Sequence, residues 1–275
     1  MRVARLIKRG HRKRTGLQPS NAVAALRQRM RNVVRKKRII NYQYRAALRC
    51  LHSHHPMTNP THPQLQHVYQ QLQDGKLKQA AAYCAEFLTQ HPNVFEAHYL
   101  LGSILMQDGQ AANAVTALCT AIELNPNASH AFHALGLAMC QLKQYPAGIE
   151  CFDQAIVLAP EDATLYCDRG TAFDCSNQRS QAIQNYTQAI TLNPNYALAY
   201  HNRGVTQYKS QAFESAITDQ THAITINPSC AEFYVARGNA HKQQLQYDAA
   251  IADYAQAIQR DPRHPDACLL YTSPS

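Results

Sequence analysis

The sequence predicts an all-α fold, a solenoid of stacked helix-turn-helix units, and the main reason is a period of 34 residues. In five successive units a glycine stands in the first half and a proline stands near the end. Such units cannot bury their apolar faces alone, so neighbouring units stack and share a continuous core. The periodic residues are Gly102, Gly136, Gly170, Gly204 and Gly238, with Pro126, Pro160, Pro194, Pro228 and Pro262.

Two further columns of small residues predict that each unit folds as two closely packed helices. Counting Phe95 as position 1 of its unit, alanine or glycine fills position 20 and alanine fills position 27 in all five units. Large side chains occupy positions 4 and 24 in several units, so small residues meet large ones, as interdigitated helices require. These large residues are Tyr166, Tyr200 and Tyr234 at position 4, and Phe152, Tyr186 and Tyr254 at position 24.

In chain order, we expect a basic leader (residues 1–56), an array of units (57–264) and a short end (265–275). The first unit keeps the alanine and proline columns through Ala80 and Pro92, whereas Val68 replaces the periodic glycine. A divergent unit suits the end of an array, where only one of its faces is covered. The expected units are 61–94, 95–128, 129–162, 163–196, 197–230 and 231–264.

The leader differs from the array in charge. Residues 1–56 contain 16 Lys and Arg and no Asp or Glu, whereas residues 57–275 contain 11 Lys and Arg against 18 Asp and Glu. Three interpretations of the leader stay open: a spurious extension before Met57, an organelle-targeting presequence, or a tether to nucleic acid or an acidic membrane. The array itself is mildly acidic, which argues against phosphate binding by the repeats.

The last residues are expected to lie outside the natural protein. Residues 265–267 match the first three positions of another unit, but the expected aromatic residue does not follow. The stretch Cys268–Ser275, CLLYTSPS, resembles the translation of a sequencing adapter. We therefore expect residues 265–275 to be a truncated unit with an artificial tail, and the natural chain to continue.

Positions 7 and 23 vary together from unit to unit. Leucine at position 7 is accompanied by a small apolar residue at position 23, as in Leu101 with Ala117 and Leu135 with Cys151. Arginine at position 7 is accompanied by an acceptor at position 23. Because a partly buried arginine needs a local acceptor, we expect these arginines to be structural and not to grip an anionic ligand. The predicted pairs are Arg169 with Asn185, Arg203 with Asp219, and Arg237 with Asp253.

With these columns the chain resembles the tetratricopeptide repeat family over Thr61 to His264. The resemblance implies a right-handed superhelix whose concave groove holds peptides or partner proteins. It also implies that positions 2, 5, 6, 9, 12 and 13 of the first helices line the groove. The groove residues expected to contact a partner are Tyr99, His133, Asp168, Asp174, His201, Asn202, Tyr208, Lys209, Asn239 and Lys242.

The chain departs from those family members that clamp a C-terminal carboxylate. They carry lysine at position 5 of the groove, whereas this chain never does. Carboxylate clamping is therefore not expected. The residues at position 5 here are Tyr99, His133, Cys167, His201 and Val235.

Two functions from different classes fit this sequence. The first is an interaction scaffold whose groove binds a peptide or a partner protein. The alternative is the substrate-recruiting arm of a multidomain enzyme, such as a glycosyltransferase, because the segments HNRGVTQY and VARGNAH are similar to repeats that precede such domains. A downstream α/β domain would separate the two.

We expect no catalytic, cofactor or metal site in the array. Phosphate-binding, nucleophile-elbow and zinc-protease motifs are missing from the sequence, and its seven array cysteines never form a CxxC pair. His130 and His133 lie one turn apart, but a solvated helix end explains them more simply than a metal does. The cysteines are expected to be small, mostly buried thiols of a cytoplasmic protein. Asp168 and Asp174 are six residues apart, so they lie on different faces of the predicted helix and are not expected to act as paired carboxylates. Both are expected along the groove or in solvent.

Overall fold

A computed structural model describes residues 62–63 and 65–262. The predictions for the leader and for the tail lie outside the described residues. The described part contains helices and no strand, which confirms the predicted all-α solenoid. The helices are α1 (Leu65–Gln73), α2 (Leu77–Gln90), α3 (Phe95–Gln107), α4 (Ala111–Leu124), α5 (Ser129–Gln141), α6 (Tyr145–Leu158), α7 (Ala163–Cys175), α8 (Arg179–Leu192), α9 (Ala197–Lys209), α10 (Phe213–Ile226), α11 (Ala231–Gln243) and α12 (Tyr247–Arg260).

The helices repeat in pairs with the period of the sequence. From α3 onward every first helix of a pair begins 34 residues after the previous one, and the second helices from α2 onward follow the same spacing. Each second helix contacts its own first helix, and those from α2 to α10 also contact the first helix of the next pair. The array is therefore held together by contacts between neighbours. Among the helices described, none combines the length and the apolar character that crossing a membrane requires.

The turn inside each pair closes in the same way. The residue at position 15 adopts a left-handed conformation, and the next N–H bonds back to the carbonyl five residues earlier, as in Gln246 to His241 at 3.0 Å. This is a Schellman turn, which usually has glycine at the left-handed residue. Only the first two units follow that preference, with Gly75 and Gly109. The other units place Lys143, Asn177, Gln211 and Leu245 there.

The periodic glycine at position 8 lets the two helices of a pair approach closely. A Cβ atom on Gly170 would lie 2.8 Å from the ring of Tyr186, which is 1% exposed and fully enclosed. Position 24 supplies the large side chain that covers the glycine in each of these units. The small and large columns of the sequence therefore pack against each other in the core.

The first helices line the inner side of the array. First helices of successive pairs contact one another, for example α5 with α7, whereas successive second helices approach each other less closely. A stack whose first helices are closer together curves towards them. The side chains that the first helices present to this inner side form what we call the groove.

Candidate functional site

The predicted groove residues fall into two sets that differ in exposure. One set is buried and forms the floor of the groove: the exposed fractions are 7% for His133, 8% for Asp168, 7% for His201 and 2% for Asn202. In the other set, which forms the rim, the whole residue is half-buried or exposed, although the side chain of Asp174 is only 8% exposed. The rim residues are Tyr99, Asp174, Tyr208, Lys209, Asn239 and Lys242.

The floor is tied together across units. His133 of α5 donates from Nε2 to Oδ2 of Asp168 on α7, at 2.7 Å. Asn202 of α9 makes the equivalent contact with Cys167 of α7, at 3.6 Å between nitrogen and sulfur. Both contacts join position 5 of one unit to position 6 of the next. The interpretation of His133 as part of a solvated helix end is wrong, because its ring is enclosed between two units.

His201 is also held in the floor. Its Nδ1 donates to Oε1 of Gln220 at 2.9 Å, and Nε2 of Gln220 donates to the backbone carbonyl of His201 at 3.0 Å. Its ring packs on Phe233 of the next unit, with 4.9 Å between ring centroids. Burial lowers the pKa of His201, an effect that its bond to Gln220 opposes. The imidazole is therefore neutral at physiological pH and acts as a structural donor.

Tyrosines at position 24 of the second helices bond to side chains of the first helices from the core. The hydroxyl of Tyr186 donates to Oγ1 of Thr171 at 3.3 Å, and the hydroxyl of Tyr254 donates to Oδ1 of Asn239 at 3.1 Å. Both acceptors stand at position 9 of a first helix. These bonds orient the groove side chains from the core.

One ion pair bridges the rim between α7 and α9. Lys209 donates to Oδ2 of Asp174, and their side chains are 37% and 8% exposed. Tyr208 lies beside Lys209 and packs edge-on against Phe213, with 5.5 Å between ring centroids. The sequence predicted Asp174 to lie along the groove or in solvent, and the structure places its carboxylate, largely covered, between the first helices α7 and α9.

An aromatic group occupies the rim at the other end of the groove. Phe95 and Tyr99 lie one turn apart on α3, and His130 of α5 packs edge-on against both, at 5.5 and 4.7 Å between ring centroids. Burial raises the pKa of Tyr99. The sequence predicted Tyr99 as a groove residue but did not predict that Phe95 and His130 contact it. The signal was present, because they occupy positions 1 and 2 of adjacent units.

The predicted arginine pairs are confirmed, and they lie outside the groove. Arg203 bonds both oxygens of Asp219 at 2.8 Å, and Arg237 bonds both oxygens of Asp253 at 3.0 and 2.7 Å. Arg169 donates to Oδ1 of Asn185 at 2.7 Å.

Each of these arginines also reaches the preceding unit, a contact that the sequence did not predict. Arg203 donates to Thr187 at 3.0 Å and Arg237 donates to Thr221 at 3.1 Å. Arg169 donates to Asp153 in the same way. The guanidinium groups are thus bonded between the second helices of successive units. Their role is structural.

Burial keeps three thiols of the array protonated at neutral pH. Burial raises the pKa of Cys84 to about 12, and raises the pKa values of Cys151 and Cys175 to about 11. Within residues 65–262, Cys84, Cys140 and Cys167 are buried and the other four cysteines are half-buried. The same part of the chain brings together no group of three or more His, Cys, Asp or Glu side chains suited to a metal ion.

Models of one repeat family match most of the described array. Models described as tetratricopeptide repeat match residues 65–129, 197–230 and 231–264, and one described as TPR repeat matches residues 176–211. Together these matches cover more than half of the chain. No curated protein matches the chain in sequence.

Solved structures share the fold at low sequence identity. PilW, described as a widely conserved type IV pilus biogenesis factor, is 15% identical with a TM-score of 0.70, over 76% of this chain and 97% of its own. YrrB, described as having an unusual peptide-binding site, is 18% identical with a TM-score of 0.53, over 68% and 96%. MamA from Desulfovibrio magneticus RS-1 is 24% identical with a TM-score of 0.56, over 60% and 93%.

Proposed function

Because the chain belongs to the tetratricopeptide repeat family, we propose that it is a protein-interaction scaffold whose groove holds a segment of a partner protein. The observation that carries this proposal is the division of the groove into a bonded floor and a half-exposed rim. The floor side chains are held by bonds between units, such as His133 to Asp168. A surface that is rigid before binding loses less conformational entropy when a partner docks.

The rim offers the side chains that protein interfaces use. Tyr99 and Tyr208 provide large, half-buried rings with few rotatable bonds, and tyrosine is enriched at binding hot spots. Lys209, Asn239 and Lys242 stand beside or beyond Tyr208 and supply polar groups that can orient a bound segment. One solved neighbour of this fold, YrrB, is described as having a peptide-binding site, which supports the same use of the groove here.

The scaffold proposal assigns binding and no catalysis to the array. The alternative, a recruiting arm of a larger enzyme, draws no support from the described residues. A downstream α/β domain would distinguish this alternative from the scaffold. The cytoplasmic location stays a prediction.

The proposal is tested by selecting binders from a phage-displayed random peptide library on the full chain. Selected peptides are then titrated against Tyr208→Ala and Lys242→Ala in the rim. Tyr83→Ala is the matched control, because Tyr83 is 44% exposed on the second helix α2. We expect the rim variants to weaken binding about tenfold and the control to bind like the unmodified chain. Peptides whose affinity is unchanged in both rim variants would place the interaction elsewhere and contradict the proposal.

A further inference from the structure

Asp174 is bonded differently from the other enclosed carboxylates of the rim and core. Its side chain is only 8% exposed. Lys209 donates to Oδ2, whereas Oδ1 is buried and has no hydrogen-bond partner among the residues that the structure describes. A buried carboxylate oxygen without a donor raises the free energy of its site. Asp174 therefore has unused capacity to accept a hydrogen bond.

Two other carboxylates of the same array show which kind of side chain donates to both carboxylate oxygens. The side chains of Asp219 and Asp253 are 5% and 6% exposed, close to the value for Asp174. Each receives two N–H bonds from one arginine, at 2.8 and 2.8 Å for Asp219 and at 3.0 and 2.7 Å for Asp253. A guanidinium fork matches the two oxygens of a carboxylate, whereas the ammonium of lysine is a single point of charge.

We infer that Asp174 is the subsite for an arginine side chain of the partner segment, and that Lys209 occupies this subsite in the unbound chain. The inference rests on the proposed function, since it gives the chemistry of a partner held in the groove. Lys209 lies at the end of α9, and its side chain is 37% exposed, so it can rotate into solvent. This rotation must also uncover the buried Oδ1, and the incoming guanidinium then bonds Oδ1 and Oδ2 together.

An acidic partner would use this part of the rim less completely. A carboxylate would bind the outer side of Lys209 and leave Oδ1 of Asp174 without a donor. An arginine satisfies both oxygens and leaves Lys209 to water, which solvates an ammonium strongly. Lys209 therefore competes with the partner, and its removal is expected to strengthen binding.

The experiment compares one selected peptide in three forms against the full chain. Peptides from the library described above are expected to be enriched in arginine. In the tightest of them, citrulline, which keeps the shape of arginine without its charge, should weaken binding about tenfold when it replaces the arginine. Lysine in the same place should bind with intermediate affinity, because it reaches one oxygen only.

The second part of the experiment changes the protein and keeps the peptide constant. Asp174→Asn should weaken binding of the arginine peptide about tenfold. Lys209→Gln should strengthen it severalfold, because the internal competitor is gone. Lys209→Arg should weaken it and also raise the melting temperature, because the new guanidinium fills both oxygens within the chain. Lys78→Gln, on the exposed face of α2, is the control for loss of one positive charge.

The outcomes separate this inference from the scaffold proposal. Peptides that bind the groove with unchanged affinity after citrulline replacement overturn the inference alone. So does a loss of affinity in Lys209→Gln, which an acidic partner would produce, or a melting temperature of Lys209→Arg that does not rise. Failure to select any peptide sensitive to the rim variants overturns the proposed function and the inference with it.

Discussion

The residue at position 7 determines whether a guanidinium group bonds neighbouring units to each other. Where it is arginine, as in Arg203, one side chain bonds Asp219 in its own unit and Thr187 in the preceding one. Its guanidinium also lies over the ring of Tyr200, 5.7 Å from the centroid. Where position 7 is Leu101 or Leu135, its partner at position 23 is apolar. The last three units therefore have charge-assisted hydrogen bonds at this position, whereas the units with leucine have an apolar pair there.

Removing the acceptor of one such arginine should destabilise the array. Asp219→Ala leaves the half-buried guanidinium of Arg203 without two bonds, and we expect a loss of about 2 kcal/mol in the free energy of unfolding. Ala117→Ser changes the equivalent position beside Leu101 and should cost less. Urea unfolding of both variants measures the difference. Equal unfolding midpoints would contradict a stabilising role for the pair.

The buried His201 should make stability depend on pH. Its pKa is lower in the folded chain than the usual 6.5, so the unfolded chain binds the proton more readily. Its contribution to stability is therefore complete above pH 6.5 and is lost as the pH falls towards the folded pKa. We expect the melting temperature of the unmodified chain to fall more between neutral and mildly acidic pH than that of His201→Asn.

His201→Asn suits this comparison because an asparagine amide can donate to Gln220 from nearly the place of Nδ1. Melting curves of the two proteins at several pH values give the test. Parallel losses of melting temperature would show that other groups carry the pH dependence.

For single residues, the sequence predicted the bonded pairs that recur at the same two positions in successive units. It missed the pairs that occur only once. Arg203 and Asp219 were predicted because the same pair of positions varies together in successive units. The bond of His133 to Asp168 joins two units, and position 5 carries a different kind of residue in almost every unit. No column of the sequence therefore marks it. The distance between first helices of successive units was needed to find it.

The turn between the two helices of a pair contains one left-handed residue, which is strained where it is not glycine. Leu245 has φ of 61° and is 71% exposed, although a left-handed conformation is unfavourable for a side chain with a Cβ atom. Asn177 has φ of 66° in the same turn, and asparagine tolerates that region better. The period predicted that a turn exists here. It did not predict the left-handed residue, because only Gly75 and Gly109 carry the usual glycine.

Glycine at this turn should stabilise the array. Leu245→Gly removes the clash of the left-handed conformation, and we expect a gain of roughly 0.5–1 kcal/mol, since the added freedom of the unfolded chain offsets part of the relief. Asn177→Gly is the matched control and should change stability much less. Thermal unfolding compares the two. A loss of stability in Leu245→Gly would mean that its exposed side chain makes a favourable contact.

Stability over the whole array is a sum of neighbouring contacts, so the place of a substitution decides how far its effect spreads. The 34-residue period was sufficient to predict this architecture, because it states directly that each unit packs on the next. It could not predict how firmly each junction is held. That depends on side chains such as Arg237 and Thr221, which lie in different units.

The same substitution should have a local effect in the last described pair and a wider one further inside the array. Asp253→Ala removes the acceptor of Arg237 in the last described pair, α11 and α12, and should open that pair alone. Asp219→Ala lies one unit further in, and should increase opening on both sides. Hydrogen exchange followed by mass spectrometry locates the affected peptides. Increased exchange of α9 and α10 in Asp253→Ala, as large as in Asp219→Ala, would contradict the nearest-neighbour description.

The bonds between units have a mechanical consequence for the middle of the array. His133 to Asp168 and Lys209 to Asp174 tie first helices on the inner side, so they resist straightening of the curve. Arg203 of α9 bonds Thr187 of α8 and Asp219 of α10, so it bridges two second helices on the outer side and resists tighter bending. The junction between α7–α8 and α9–α10 has bonds on both its inner and its outer side and is therefore stiff. Tension applied across the described array should therefore stretch the junctions on either side of α3, which have no arginine at position 7, before this one yields.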